Sequence, residues 1–242
     1  MEAFSQLGYR PNSVARSLKK QRTQTIGVII PDITEGIFAR MLKGMDYVIS
    51  EAGYSIILCD SNEDPRKEER LFNILCEGRV EGMIIPTVQD NDQIDGLLSK
   101  SHPPIVFVDN VPNTSNGFDS VSLDNVRASF QAVDHLICQG HRSIAGIMGK
   151  QTEHTGFDRY TGYSKAFAKY SIPLNPALVR FGDFKEQSGY EAMLDLISSG
   201  IPFTAVYIAS SKMTYGAIAA IRECGLRIPQ DISLVGFDVY DE

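Results

Sequence analysis

"TIGVIIPDITEGIFARMLKGMDYVISEAGYSIILCD" occupies residues 25–60 and decides the fold. Its two ends, residues 25–30 and 54–59, are short apolar runs rich in β-branched side chains. Between them Phe38, Met41, Leu42, Met45, Val48, Ile49 and Ala52 recur at spacings of three and four. That period places them on one helix face, and Gly53 is a helix-stopping residue. The stretch therefore reads as strand, helix, strand.

The rhythm continues outward. A helix is expected over 65–76, with Leu71, Phe72 and Leu75 on one face, then a strand at 82–86. A short helix near 94–98 leads to a strand at 105–109, and a fifth strand is expected at 120–124. The alternation then restarts, with helices expected at 126–138, 160–170, 188–198 and 213–224. Strands are expected at 144–148, 177–181, 204–209 and 232–237. Continuous apolar strands alternating with helices imply parallel sheets covered on both faces. Two successive sets imply an α/β chain of two doubly wound lobes, 25–124 and 125–242, preceded by a separate segment at 1–24. Open α/β sheets bind ligands outside the carboxyl ends of their strands. Attention therefore falls on Asp32, Phe38, Asp60, Asp109, Asp124, Ser210, Ser211 and Asp238.

The 242 residues carry a formal charge of -7, and the isoelectric point is about 5.2. Residues 1–24 hold Arg10, Arg16, Lys19, Lys20 and Arg22 against Glu2 alone, which is +4 and leaves -11 for the rest. A basic arm thus precedes an acidic body that is unsuited to coating nucleic acid. No apolar run reaches the roughly 20 residues of a membrane span. Neither an h-region nor a cleavage site opens the chain, so a cytoplasmic protein without membrane contact is expected. Cys59, Cys76, Cys138 and Cys224 form no C-x-x-C pair and read as buried free thiols.

Catalytic signatures are missing. There is no G-x-S-x-G, H-E-x-x-H, G-x-x-x-x-G-K or G-x-G-x-x-G. His102, His135, His141 and His154 lack metal-ligand spacing, and His141 lies in a helix-to-strand turn. Asp238, Asp241 and Glu242 could do acid–base work, but a solvated turn with one hydroxyl-binding carboxylate accounts for them better. No enzyme, cofactor or metal is expected.

In the basic stretch, Asn12 is a good helix N-cap after Pro11. Val14, Ala15 and Leu18 form one apolar edge of a two-turn helix, with Arg16, Lys19 and Lys20 around it. So short a helix is marginal alone in water. It orders when DNA or a second copy of itself supplies the missing contacts. The plain alternative is a solvated basic linker.

"LGYRPNSVARSLKKQRTQTIGVIIPDI" resembles the hinge and first strand of the lactose-repressor/galactose-repressor (LacI/GalR) family of bacterial transcription regulators. The similarity continues through "EAGYSIILCDSNEDPRKE", "RVEGMIIP", "IVFVDN", "HLICQGHRSIAGI", "RYTGY" and "GLRIPQDISLVGFD". The ordered set is specific where each motif alone is not. The resemblance implies a two-lobed, periplasmic-binding-protein-like core behind a helix-turn-helix head. It also implies a homodimer, operator DNA as partner, and a small effector between the lobes, a sugar or a nucleobase. Against the family pattern "MEAFSQLGYRPN" matches only the last helix of the head, and the return to the first lobe after Glu242 is missing. The chain therefore reads as truncated at both ends. Asn12, Ser13, Ala15, Arg16, Leu18 and Lys19 match the hinge positions that meet DNA, with Leu18 at the position that wedges between base pairs.

The resemblance also carries over effector positions. Arg159, in "RYTGY", matches an arginine that forks onto ligand hydroxyls or a carboxylate. Asp238 matches a hydroxyl-accepting aspartate, and Asp109 a third polar position. Phe38 and Phe184 match aromatic walls, and Ser210 a polar contact. Each has a bland alternative: a helix-surface ion pair for Arg159, plain core for the phenylalanines. The chain departs from the family at Ser210-Ser211, usually Asn-Asp, and at Glu35-Gly36-Ile37, usually Asn-Pro-Phe. Neutral sugar, phosphosugar and nucleobase all stay open as effectors, the phosphosugar through Lys150, His154 and Arg159. The rival reading is a periplasmic-type sugar-binding protein without DNA binding.

Overall fold

The computed structural model describes residues 22–88, 91–99, 102–112 and 117–238. The chain divides into two compact units, the first ending at Val121 and the second beginning at Ser122.

The first unit runs β1 (Thr25–Ile30), α1 (Gly36–Glu51), β2 (Ser55–Asp60), α2 (Pro65–Glu77), β3 (Gly82–Ile85), α3 (Asn91–Leu98), β4 (Ile105–Val108) and β5 (Asp119–Val121). Its five strands are all parallel, in the order β2-β1-β3-β4-β5. Successive strand residues face opposite sides of a sheet. Val28 and Ile30 accordingly pack with Phe38 of α1. Ile29 packs on the other side with Phe72 and Leu75 of α2, Ile94 and Leu97 of α3, and Phe107 of β4. Asp64 caps α2 by accepting the Arg66 N–H at 2.9 Å, and Pro65 occupies its first turn. Both are standard helix-start chemistry.

The second unit repeats the plan. It runs α4 (Asn125–Cys138), β6 (Ile144–Met148), α5 (His154–Lys169), a 3₁₀ turn (Pro176–Leu178), β7 (Val179–Phe181), α6 (Glu186–Ser198), β8 (Ala205–Ile208), α7 (Ser211–Glu223) and β9 (Ser233–Gly236). Its sheet is parallel, in the order β7-β6-β8-β9. Every residue of β6 and β8 is buried, as the continuous apolar reading of those strands requires.

Three expectations are corrected. Helix α5 begins at His154, six residues before the expected start at 160. The polar run 154–159 hides the helical period, and Gly156 lets this turn lie against the Lys150 backbone, where a Cβ would come within 2.0 Å of the carbonyl oxygen. On α1 the expected apolar face is only partly covered: Phe38 is buried, but Val48 is 64% exposed. The cysteines are all free, yet none is buried: Cys59 and Cys76 are half-buried, and Cys138 and Cys224, at the C-terminal ends of their helices, are exposed. No helix among the described residues is long and apolar enough to cross a membrane.

Candidate functional site

In a doubly wound sheet the crevice opens where the strand order reverses, which in the second unit is between β6 and β8. Arg159 comes to this point from α5. It is 6% exposed, so the surface ion-pair alternative is excluded. Its Nε–H donates to Asn125 Oδ1 at 2.9 Å, and its Nη1 donates to the Ala209 carbonyl at 2.7 Å, just beyond β8. Its Nη2 lies 3.6 Å from Asp238 Oδ2. The guanidinium carbon stands 3.8 Å from the centre of the Phe237 ring. Two in-plane hydrogen bonds and a stacked ring fix the plane of the fork, as delocalised guanidinium permits and ammonium does not.

Asp238 follows β9. Burial pushes its carboxyl above the usual aspartate value, and Arg159 offsets only part of that rise. Tyr207, in β8, hydrogen-bonds Ser129 through its hydroxyl at 2.6 Å, and burial pushes that hydroxyl up to about 12. It stays neutral, so the acidic group facing Arg159 is Asp238. The Phe184 ring lies directly on Gly149 at the end of β6, where a Cβ would come within 1.9 Å of it.

Asp109, Phe184 and Asp238 all have left-handed backbone, with φ of 60°, 70° and 56°. Non-glycine residues rarely adopt this conformation, which clusters at functional sites. All three follow a strand.

The other expected site residues are placed differently. Ser210 caps α7, its side chain accepting the Met213 N–H at 3.3 Å while its carbonyl accepts from Thr214. Its hydroxyl thus does local structural work. Ser210→Ala is expected to cost about 0.5–2 kcal/mol of stability, read as a lower urea midpoint of similar size with and without ligand. Phe38 is 7% exposed and packs against Val28 and Ile30 in the first unit's core, which is the plain-core alternative. Asp109 also belongs to the first unit, where its N–H donates to the Val121 carbonyl at 3.0 Å. Lys150 and His154 each face a carboxylate. Lys150 pairs with Glu153 at 3.2 Å, and His154 lies 3.4 Å from Asp158. His141 bonds Thr204 at 2.8 Å, a turn contact. No cluster of metal-ligating residues occurs among the described residues. The hinge positions Asn12, Ser13, Ala15, Arg16, Leu18 and Lys19, and the acidic pair Asp241 and Glu242, lie outside the described residues.

Residues 23–242 match the family described as periplasmic binding proteins and the sugar binding domain of the LacI family. The chain belongs to the LacI/GalR family. The transcriptional regulator RegA of Clostridium saccharobutylicum is 36% identical over 239 residues, spanning 98% of this chain and 72% of that protein. Two solved structures share the fold over 98% of the chain. The lac repressor dimer bound to operator and an anti-inducer superimposes with a TM-score of 0.85 at 26% identity, over 71% of that chain. The regulator CelR in complex with cellobiose gives 0.79 at 29% identity, over 72% of that chain. These LacI-family relatives are regulators and not enzymes, in keeping with the missing catalytic motifs.

Sequence reasoning missed Asn125, Ala209 and Phe237. Asn125 had a faint signal, since it directly follows Asp124, a strand-end position already singled out. The carbonyl of Ala209 and the ring of Phe237 had none, because a backbone acceptor and an apolar strand end look like any other.

Proposed function

We propose that this chain is an effector-responsive transcriptional regulator, acting as a repressor in the cytoplasm, whose core binds a small carbohydrate. The observation that carries the reading is the Arg159–Asp238 pair, a planar donor fork beside an acceptor at the sheet's carboxyl end. Adjacent sugar hydroxyls are matched by such a pair, each able to accept from the arginine and donate to the carboxylate. The carboxylates beside Lys150 and His154 favour a neutral sugar over a phosphosugar. A thermal-shift panel of neutral sugars, phosphosugars and nucleobases tests this, because a ligand held only by the native state raises its melting point. A response confined to nucleobases would overturn the carbohydrate assignment.

Operator control would run through the basic segment before β1. The alignment with RegA reaches 98% of the chain and so includes most of that segment, which supports a regulator over a periplasmic-type sugar-binding protein. Self-association fits the apolar surface left on α1, where Tyr47 is 67% and Val48 64% exposed. Paired apolar patches of this kind suit a two-fold dimer.

In a dimeric protein carrying a complete DNA-binding head, Leu18→Ala is expected to weaken operator binding by roughly 1.5–3 kcal/mol per buried side chain. The DNA bend should also fall, because the wedge holds it. Sugar affinity without DNA should not change. Lys19→Ala should weaken binding to all DNA sequences alike and flatten the salt dependence. Gel shifts and circular-permutation assays read both. Wild-type bending by Leu18→Ala would make the segment a mere tether.

A further inference from the structure

We infer that Asn125 is the positioning residue for Arg159, setting the plane of its guanidinium and tying it to the backbone that joins β5 to α4. The inference rests on the reading of Arg159 as a ligand contact. Asn125 is 1% exposed at the start of α4, held there by the Asp124 cap, which accepts the Arg127 N–H at 2.9 Å. Its amide works in two directions. Oδ1 accepts the Arg159 Nε–H at 2.9 Å, and Nδ2 donates to the Leu123 carbonyl at 3.2 Å. Its backbone N–H donates to the same carbonyl at 2.8 Å. A carboxylate could supply only the acceptor, and an apolar side chain neither.

Geometry makes the Nε bond the decisive one. The Ala209 carbonyl holds Nη1, and Phe237 supports one face of the fork. A single in-plane bond is a pivot; the second, to Asn125, stops rotation and aims the Nη2 edge toward Asp238. The same amide grips residue 123, so Arg159 is tied to residues 122–124. That connection is where the chain passes from the first unit to the second.

The test uses the full ¹⁵N-labelled chain. The Arg159 Nε–Hε resonance, assigned by its loss in Arg159→Lys, should be protected from solvent exchange. In Asn125→Leu its exchange should accelerate by about tenfold or more, the size expected for losing a bond to a charged group. Asn125→Asp should keep the protection, since the carboxylate still accepts. Calorimetry with cellobiose and D-ribose as probes should show about ten- to hundredfold weaker binding for Asn125→Leu. No further loss should appear when Asn125→Leu is added to Arg159→Lys, because the two act as one unit. Unchanged exchange in Asn125→Leu, or an undiminished loss of affinity in the Arg159→Lys background, overturns the inference. Wild-type affinity in Arg159→Lys would instead sink the ligand-contact reading, while the exchange result decides independently whether Asn125 orients the arginine.

Discussion

Arg159→Ala is expected to weaken sugar binding by about 1–3 kcal/mol, the cost of leaving buried hydrogen-bond partners unsatisfied. Much of that loss comes from the groups left behind. Asn125 Oδ1 and the Ala209 carbonyl lose their donor, and Asp238 loses its counter-charge. Arg159→Lys should recover little, because an ammonium cannot meet two fixed acceptors and a ring face together. Asp238 adds a pH dependence with a definite sign. Its carboxyl protonates at a higher pH than an ordinary aspartate because burial disfavours the anion. Protonation turns a charged acceptor for a sugar hydroxyl into a weaker neutral one, so affinity should be full on the alkaline side and fall as the pH drops through this raised value. Asp238→Asn should bind weakly and lose that slope. Calorimetry across pH on the three variants checks these outcomes together. Equal affinity in Arg159→Ala and wild type would show that the sugar binds elsewhere.

Gly216→Ala is expected to destabilise the second unit by about 3 kcal/mol or more, the upper end for overpacking. Helices α6 and α7 touch backbone to backbone through reciprocal glycines. A Cβ on Gly216 would stand 2.0 Å from the Glu186 carbonyl oxygen, and one on Gly189 would stand 2.2 Å from that of Met213. Neither obstruction is a flexible side chain, so the helices must separate. Separation would open the layer in which Met193, Leu196, Met213 and Ala217 are buried. Gly44→Ala, in α1, provides the control, because nothing lies within 4 Å of its added methyl. There alanine should stabilise by roughly 0.5–1 kcal/mol through lower chain entropy. Urea titrations compare the two, and matching midpoints would disprove the close helix contact.

Several features of this protein were legible in the residues alone. The β1–α1–β2 unit could be read from the two β-branched runs flanking a helical period, since a strand buried on both faces, as β1 is over 27–30, demands apolar residues at every position, although the edge strand β2 is only partly buried. The same logic identified β6 and β8. Family motifs and the rule that ligands gather at strand carboxyl ends pointed to Asp109, Arg159, Phe184 and Asp238 as candidates, of which Arg159 and Asp238 lie together.

What the tertiary structure decided was which atoms meet. Arg159 and Asp238 are 79 residues apart, and only the β7-β6-β8-β9 order brings α5 and the end of β9 together over Ala209. Ser210 and Phe38 have the right chemistry for a site, but local geometry turns one into a helix cap and packing turns the other into core. Nothing in a one-dimensional pattern distinguishes a hydroxyl aimed at a ligand from one aimed at its own helix. Asn125 shows the converse. Its importance lies in two bonds made by one buried amide, and the longer of these connections, spanning 34 residues, forms only once α4 and α5 have packed.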